Sequence, residues 1–169
     1  MPKRIFEGKR VYVLEQDGWE FVERKTAKEA VAVLAVNDDG RVILTEQFRR
    51  PVNAKVIDFP AGLIGDEEGP SDPAATAKKE LEEEAGYVCE SVERLAGGPS
   101  SPGITSEIVH LYRATGLTKQ NRGGGVGDEE IAVHEVPLDD LEAWLKRKQG
   151  EGVLVDLKLW GGLYWLRQR

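Results

Sequence analysis

Residues 78 to 87 read KKELEEEAGY, ten positions that hold four glutamates and a glycine suited to ending the helix they form. At 3.6 residues per turn, Glu80 and Glu84 lie about 40° apart around that helix, Glu83 lies about 60° to the other side of Glu80, and Glu82 is roughly opposite. Like charges one turn apart destabilise a helix by about 0.2–0.5 kcal/mol. Carboxylates in the last turns also meet the negative end of the macrodipole, where lysine is preferred. Pairs Lys78–Glu82 and Lys79–Glu83 make two of the acids an ordinary solvated face, but they leave Glu80 beside Glu84 unexplained. A cation on that face explains them. Mg²⁺ takes a few carboxylates and keeps several waters, and it neutralises phosphate oxygens while activating water. Glu80, Glu83 and Glu84 are therefore candidate metal ligands, with the carbonyl of Ala61, in the loop before the helix, as a further oxygen.

The helix itself is expected over 73–85, with Ser71 or Asp72 as N-cap, Pro73 at its first position and Gly86 as its stop. Ahead of it, 9–15 and 19–24 read as short strands around the turn QDG. The apolar runs 30–36 and 41–48 flank NDDG and read as a hairpin turning at Asp39-Gly40, and 55–59 reads as a strand entering PAGLIG. Further strands are expected at 106–115 and 130–136. An amphipathic helix is expected at 138–149, stopped by Gly150, and a last helix at 156–168, weakened by Gly161-Gly162. The Gly-rich stretch 121–130 reads as a mobile loop ending in acids. Strands mixed with helices define an α/β or α+β domain.

Composition narrows the function. The chain has 169 residues, 40% hydrophobic and 31% charged, which suits one folded domain with a small extension. A net charge of −7 argues against binding a nucleic-acid backbone. The first residues, MPKRIFEGKR, lack an apolar signal core, and no apolar run approaches ~18 residues, so no membrane partner is expected. The single Cys89 rules out an internal disulfide framework and fits a reducing compartment, so the cytoplasm is the expected location.

The pattern AGLIG…KKELEEEAGY resembles the signature of the Nudix hydrolases, G-x5-E-x7-R-E-U-x-E-E-x-G-U with U aliphatic. Gly62 matches its first glycine, Glu80 the R-E glutamate, Leu81 the aliphatic position, Glu83 and Glu84 the E-E pair, and Gly86 the last glycine. Lys79 stands in place of the arginine, and Tyr87 in place of the final aliphatic residue. The loop between Gly62 and Lys79 is three residues longer than the signature's, so the signature's first glutamate falls on Glu68 or on Ser71, depending on the end counted from. RVILTEQFRRPV, IDFPAGLI, SPGITSEIVHLYRAT and DEEIAVHEVPLDDLEAWL resemble the ADP-ribose and nucleotide-sugar pyrophosphatase branch, with Asp58 where that branch commonly has glutamate.

The resemblance implies a Nudix-type α/β/α sandwich with a mixed sheet over 28–169, preceded by a strand segment, 1–27, that serves dimerisation and substrate binding. It implies Mg²⁺, with Mn²⁺ as the alternative, and hydrolysis of a nucleoside diphosphate sugar such as ADP-ribose to a nucleoside monophosphate and a sugar phosphate. The partners implied are that substrate and a second copy of the chain. An arginine after QF holds the diphosphate in the family; strand alternation lets one of Arg49 and Arg50 face the site, and Arg49 is favoured. Glu107, after SSPGITS, matches a residue that positions metal or substrate. Glu129 and Glu130 match a loop glutamate acting as general base or extra ligand, and the sequence does not separate them; Glu83 is a further catalytic candidate. Trp19 and Phe21, alternate residues of one strand, are candidates to stack on a nucleobase, or equally to pack in a core or interface. His110 and His134 lie in strand patterns without ligand spacing and read as structural. Rival functions are a house-cleaning nucleoside triphosphate pyrophosphatase and a ligand-sensing domain without catalysis.

Overall fold

Run 30–36 is apolar at every position and 42–44 at three in succession, the pattern of strands buried on both faces rather than one. In the computed structural model, which describes residues 1–65, 72–127 and 129–168, they lie at the centre of the domain. Before them come β1 (Lys3–Glu7), β2 (Val11–Gln16) and β3 (Trp19–Arg24), a small antiparallel sheet in that order. Asp17 and Gly18 make its second turn with φ of 53° and 84°, the left-handed pair that a two-residue hairpin loop requires.

The apolar runs form β4 (Glu29–Ala35) and β5 (Arg41–Arg49), followed by β6 (Ala54–Asp58) and β7 (Ala61–Leu63). Then come helix α1 (Pro73–Ala85), β8 (Tyr87–Pro99), β9 (Ile108–Lys119), β10 (Ile131–Pro137), helix α2 (Leu141–Gly150), the short β11 (Leu154–Val155) and helix α3 (Leu157–Leu166). Two four-stranded sheets result, β7-β4-β9-β8 and β10-β5-β6-β11, each with one parallel pair, β4 with β9 and β6 with β11.

The expected hairpin of 30–36 with 41–48 does not form. Its turn is present: Gly40 sits at φ 71°, and its N–H donates to the Asn37 carbonyl at 2.9 Å. Beyond the turn, among the described residues, the two strands share a bridge from Val36 to Val42 and then diverge into different sheets. The turn fixes a reversal of direction. It does not fix a ladder, and two strands buried on both faces each gain more from flanking strands on either side.

Alternation along β4 builds both cores. Val31, Val33 and Ala35 meet Ala77, Leu81 and Ala85 of α1, while Ala32 and Leu34 meet Leu141 and Leu145 of α2 and Leu159 and Leu166 of α3. Sheets between α1 on one side and α2 with α3 on the other make the α/β/α sandwich. The long β8 has no counterpart in the sequence reading. Its exposed glutamates and serine break the apolar pattern, and its register with β9 shifts between Arg94 and Ala96. Gly162 is not merely a weak point in α3: a Cβ there would lie 2.6 Å from the Phe59 ring, so the glycine lets the helix settle on that ring.

Candidate active site

Helix α1 starts as expected. Asp72 is the N-cap, its carboxylate accepting from the Ala75 N–H at 2.9 Å, and Pro73 follows at the first position. Ser71 and Glu68 lie outside the described residues. The helix stops at Gly86, in the left-handed region at φ 76°.

Its last carbonyls are satisfied by the Gly-rich loop. Gly124 N–H donates to the Glu84 carbonyl at 2.9 Å, Gly125 N–H to that of Glu83 at 3.0 Å, and Gln120 N–H to that of Gly86 at 2.8 Å. Helix ends leave such carbonyls without partners unless something outside supplies donors. A Cβ on Gly123 would lie 2.5 Å from the Glu84 carbonyl oxygen, and one on Gly86 2.3 Å from that of Asn121. Gly86 and Gly123 therefore serve close approach of two backbones, and this half of the loop is bonded to the helix rather than loose.

The loop's amides also soften the dipole problem posed by the glutamates. Lys79 pairs with Glu83 at 2.7 Å, whereas Lys78 reaches the Glu90 carbonyl at 2.8 Å rather than forming the expected surface pair with Glu82. Glu84 is turned inward and is only 7% exposed. One of its carboxylate oxygens accepts the Ala61 N–H at 3.0 Å. Burial pushes its carboxyl up to about 8; the Ala61 hydrogen bond and the Arg49 charge pull it down, while Glu80 and Glu129 push it further up. Glu80, Arg49 and Glu129, from three separate elements, thus all act on Glu84.

Strand β7 serves both inner glutamates. Ala61 gives its N–H to Glu84, and Gly62 makes room for Glu80, whose carboxyl carbon lies 2.1 Å from where a Gly62 Cβ would be. Because that obstacle is the far end of a flexible side chain, Gly62→Ala should leave the fold intact and displace the Glu80 carboxylate. Thermal melting within about 2 °C of wild type, the shift for under ~1 kcal/mol in a chain of this size, is expected together with a loss of about 10–100-fold in kcat. Unchanged kcat would show that the position of Glu80 does not matter.

The other candidates are placed as follows. Arg49 ends β5, and Arg50 begins a 3-10 turn beyond it. Glu129 accepts the Val126 N–H at 3.1 Å, which folds its carboxylate back along the loop; both Glu129 and Glu130 are exposed. Glu107 is committed to other partners, accepting from Arg24 Nε and from the Ser100 hydroxyl, both at 3.0 Å. It thereby ties the 100–107 segment to β3, where Ile104 also accepts the Val22 N–H at 2.8 Å. Trp19 and Phe21 face the same segment and line a cavity of about 450 Å³ with Asp17, Pro102, Gly103 and Thr105.

Two ionic clusters escaped the sequence reading. Glu46, on β5, is only 6% exposed and meets Lys55 at 2.9 Å, His134 at 3.0 Å and Lys148 at 3.1 Å. Burial pushes its carboxyl up, but these partners together hold it at about 2. Lys158 bridges Asp58 at 2.9 Å and Asp156 at 2.8 Å. Partners this far apart in sequence have no local spacing to betray them.

Among the described residues no group of three or more His, Cys, Asp or Glu side chains is gathered tightly enough to hold a metal ion as the side chains stand. The donor set nevertheless fits a small hard cation. It consists of carboxylate oxygens, and Glu84 is buried with two other carboxylates acting on it, a charge that Arg49 alone does not offset. No described helix is long and apolar enough to cross a membrane.

A helix presenting inward carboxylates to a tight strand, at the edge of an α/β/α sandwich, is the architecture of a metal-assisted hydrolase of phosphate anhydrides. The NUDIX domain model matches residues 26–157, and the chain belongs to the NUDIX family. A Bacillus methanolicus protein named methanol dehydrogenase activator is 37% identical over 155 residues, covering 87% of this chain and 82% of its own. The ADP-ribose pyrophosphatase of Bacillus subtilis (strain 168) is 36% identical over 146 residues, covering 82% and 77%. The crystal structure of an ADP compounds hydrolase superposes with a TM-score of 0.63 over 85% of this chain and 80% of that one; at 21% identity this is a likeness of fold alone.

Proposed function

We propose that the chain hydrolyses the pyrophosphate bond of a nucleoside diphosphate sugar of the ADP-ribose type, giving a nucleoside monophosphate and a sugar phosphate. The observation that carries this reading is the convergence of Glu80 and Glu84 on β7, with Arg49 acting on the same point. The relative named ADP-ribose pyrophosphatase supports the substrate class.

Glu80, Glu83 and Glu84 hold Mg²⁺, or Mn²⁺ in its place, with the Ala61 carbonyl as an additional donor. When bound, the ion neutralises the diphosphate and lowers the pKa of water. Arg49 offers its guanidinium fork to the phosphates. Glu129 orients the attacking water, favoured over Glu130 by its electrostatic coupling to Glu84. Trp19 and Phe21, in their cavity beside Pro102 and Gly103, present an aromatic face to the base.

A panel of ADP-ribose, ADP-glucose, GDP-mannose, UDP-glucose and dGTP with Mg²⁺, with products identified, tests the reading. Cleavage of the nucleotide sugars to a monophosphate and a sugar phosphate is expected. Cleavage of dGTP alone would favour the triphosphate reading, and binding without turnover the sensing one.

The working unit in this reading is a homodimer, in a cytoplasmic setting, with residues 1–27 contributing to the interface. Phe6 and Trp19 on the N-terminal sheet are 60% and 67% exposed, and Ile104 on the segment beneath it is 55% exposed. A three-stranded sheet with such a surface gains by covering it. Light scattering at micromolar concentration should give twice the 18.7 kDa chain mass; a fully active monomer would contradict it.

A further inference from the structure

We propose that Lys158, acting through Asp58, is a positioning residue for the Ala61–Glu84 contact, so that helix α3 sets the geometry of a site to which it contributes no ligand. The inference rests on the metal assignment above.

Three connections join α3 to the strand that enters the site. Lys158 is three-quarters buried and holds Asp58, the last residue of β6, at 2.9 Å, while Asp156 steadies its ammonium at 2.8 Å. The Asp156 N–H donates to the Ile57 carbonyl at 3.0 Å, and the Asp156 carboxylate caps the helix by accepting the Lys158 N–H at 2.9 Å. Phe59 lies under Gly162, which has no Cβ to hold the helix away.

From Asp58 the chain has little freedom. The other Asp58 oxygen accepts the Phe59 N–H at 2.8 Å, which turns the backbone at the end of β6. The Pro60 carbonyl accepts the Val33 N–H at 2.8 Å, and the next N–H, that of Ala61, meets Glu84. Two residues, Phe59 and Pro60, thus separate the Lys158 ion pair from the amide that orients Glu84. The proline restricts the backbone between them. Removing one partner of a buried pair leaves the other charge uncompensated and moves the segment that carries it. Here that segment is the one that carries Ala61.

The test uses Lys158→Met in the full chain, read in two ways. Mg²⁺ binding is followed by the rise in melting temperature with Mg²⁺ alone, and turnover is followed on the best substrate of the panel. The Mg²⁺ concentration at half-effect should rise, and kcat fall, by about 10–100-fold, the usual effect of losing a group that orients a ligand. KM should stay near wild type, and Lys158→Arg should restore most of both losses. A folded Lys158→Met protein with wild-type Mg²⁺ midpoint and kcat overturns the proposal. Should Lys158→Met fail to fold, the Asp58→Asn/Lys158→Met double variant, which leaves no unpaired charge at the end of β6 and keeps the partly exposed Asp156 as the helix cap, is read by the same two measurements. If neither folds, the pair is structural and the proposal fails. The Mg²⁺ midpoint needs no substrate, so it still decides this inference if wild type cleaves nothing in the panel. A wild type without any Mg²⁺ effect overturns both.

Discussion

Glu84→Gln should lower kcat by at least about 100-fold, the scale of losing one charge-stabilising group, without unfolding the protein. Glutamine keeps the shape and an oxygen that accepts the Ala61 N–H, now seen at 3.0 Å, so the packing survives. What it removes is the charge. The same residue governs stability against pH in the metal-free protein. Its carboxyl is raised from 4.5 to about 8, so the proton is held preferentially by the folded state. The stability this confers is fully present below the unfolded value and is lost as pH rises through about 8. Asp58 is raised from 3.8 to about 6 and acts with the same sign, but at lower pH. Between pH 6.5 and 8.5 the melting temperature of metal-free wild type should therefore fall, by about 5 °C, and added Mg²⁺ should restore it most at the upper end. Glu84→Gln should show neither the fall nor the recovery. A folded variant with near wild-type turnover would remove Glu84 from the metal site.

Glu129→Gln should lower kcat by about 10²–10⁴-fold, the range for a positioned general base, with little change in KM where KM reflects binding. Glu130→Gln should stay close to wild type. The difference follows from geometry. Both side chains are exposed, but Glu129 is folded back by the Val126 N–H at 3.1 Å and its charge acts on Glu84. The loop that carries Glu129 is bonded to α1 through Gly124 and Gly125, so Glu129 is registered to the glutamates of the helix. Kinetics of the two single variants on the same substrate check this. If Glu129→Gln keeps its kcat, the loop is a connector, and Glu83 is the next carboxylate to examine.

Much of this protein was legible in local spacing. Asp72, Pro73 and Gly86 marked both ends of α1, because capping and termination are decided within a few residues. The crowding of Glu80 with Glu84 was visible from spacing alone, because like charges one turn apart need a reason whatever the tertiary fold. The alternation of β4 between two cores was implicit in its unbroken apolar run, since only a strand covered on both faces tolerates one.

The tertiary structure decided whatever depends on which strands become neighbours. The turn at Asn37–Gly40 was readable, but not the parting of β4 and β5 into two sheets, because a reversal of direction does not dictate pairing. The sequence made the 123–125 glycines look like a hinge. The structure shows Gly123 so close to the helix backbone that a Cβ there would lie 2.5 Å from the Glu84 carbonyl oxygen, a constraint set by a distant partner. Nothing in the spacing around Glu107 pointed to its ion pair with Arg24, 83 residues away. Asp58 and Lys158 lie too far apart in the chain for any motif, yet their ion pair holds the end of β6, from which the chain runs directly into Ala61. Local chemistry singled out the carboxylates; long-range packing determined which of them face one another.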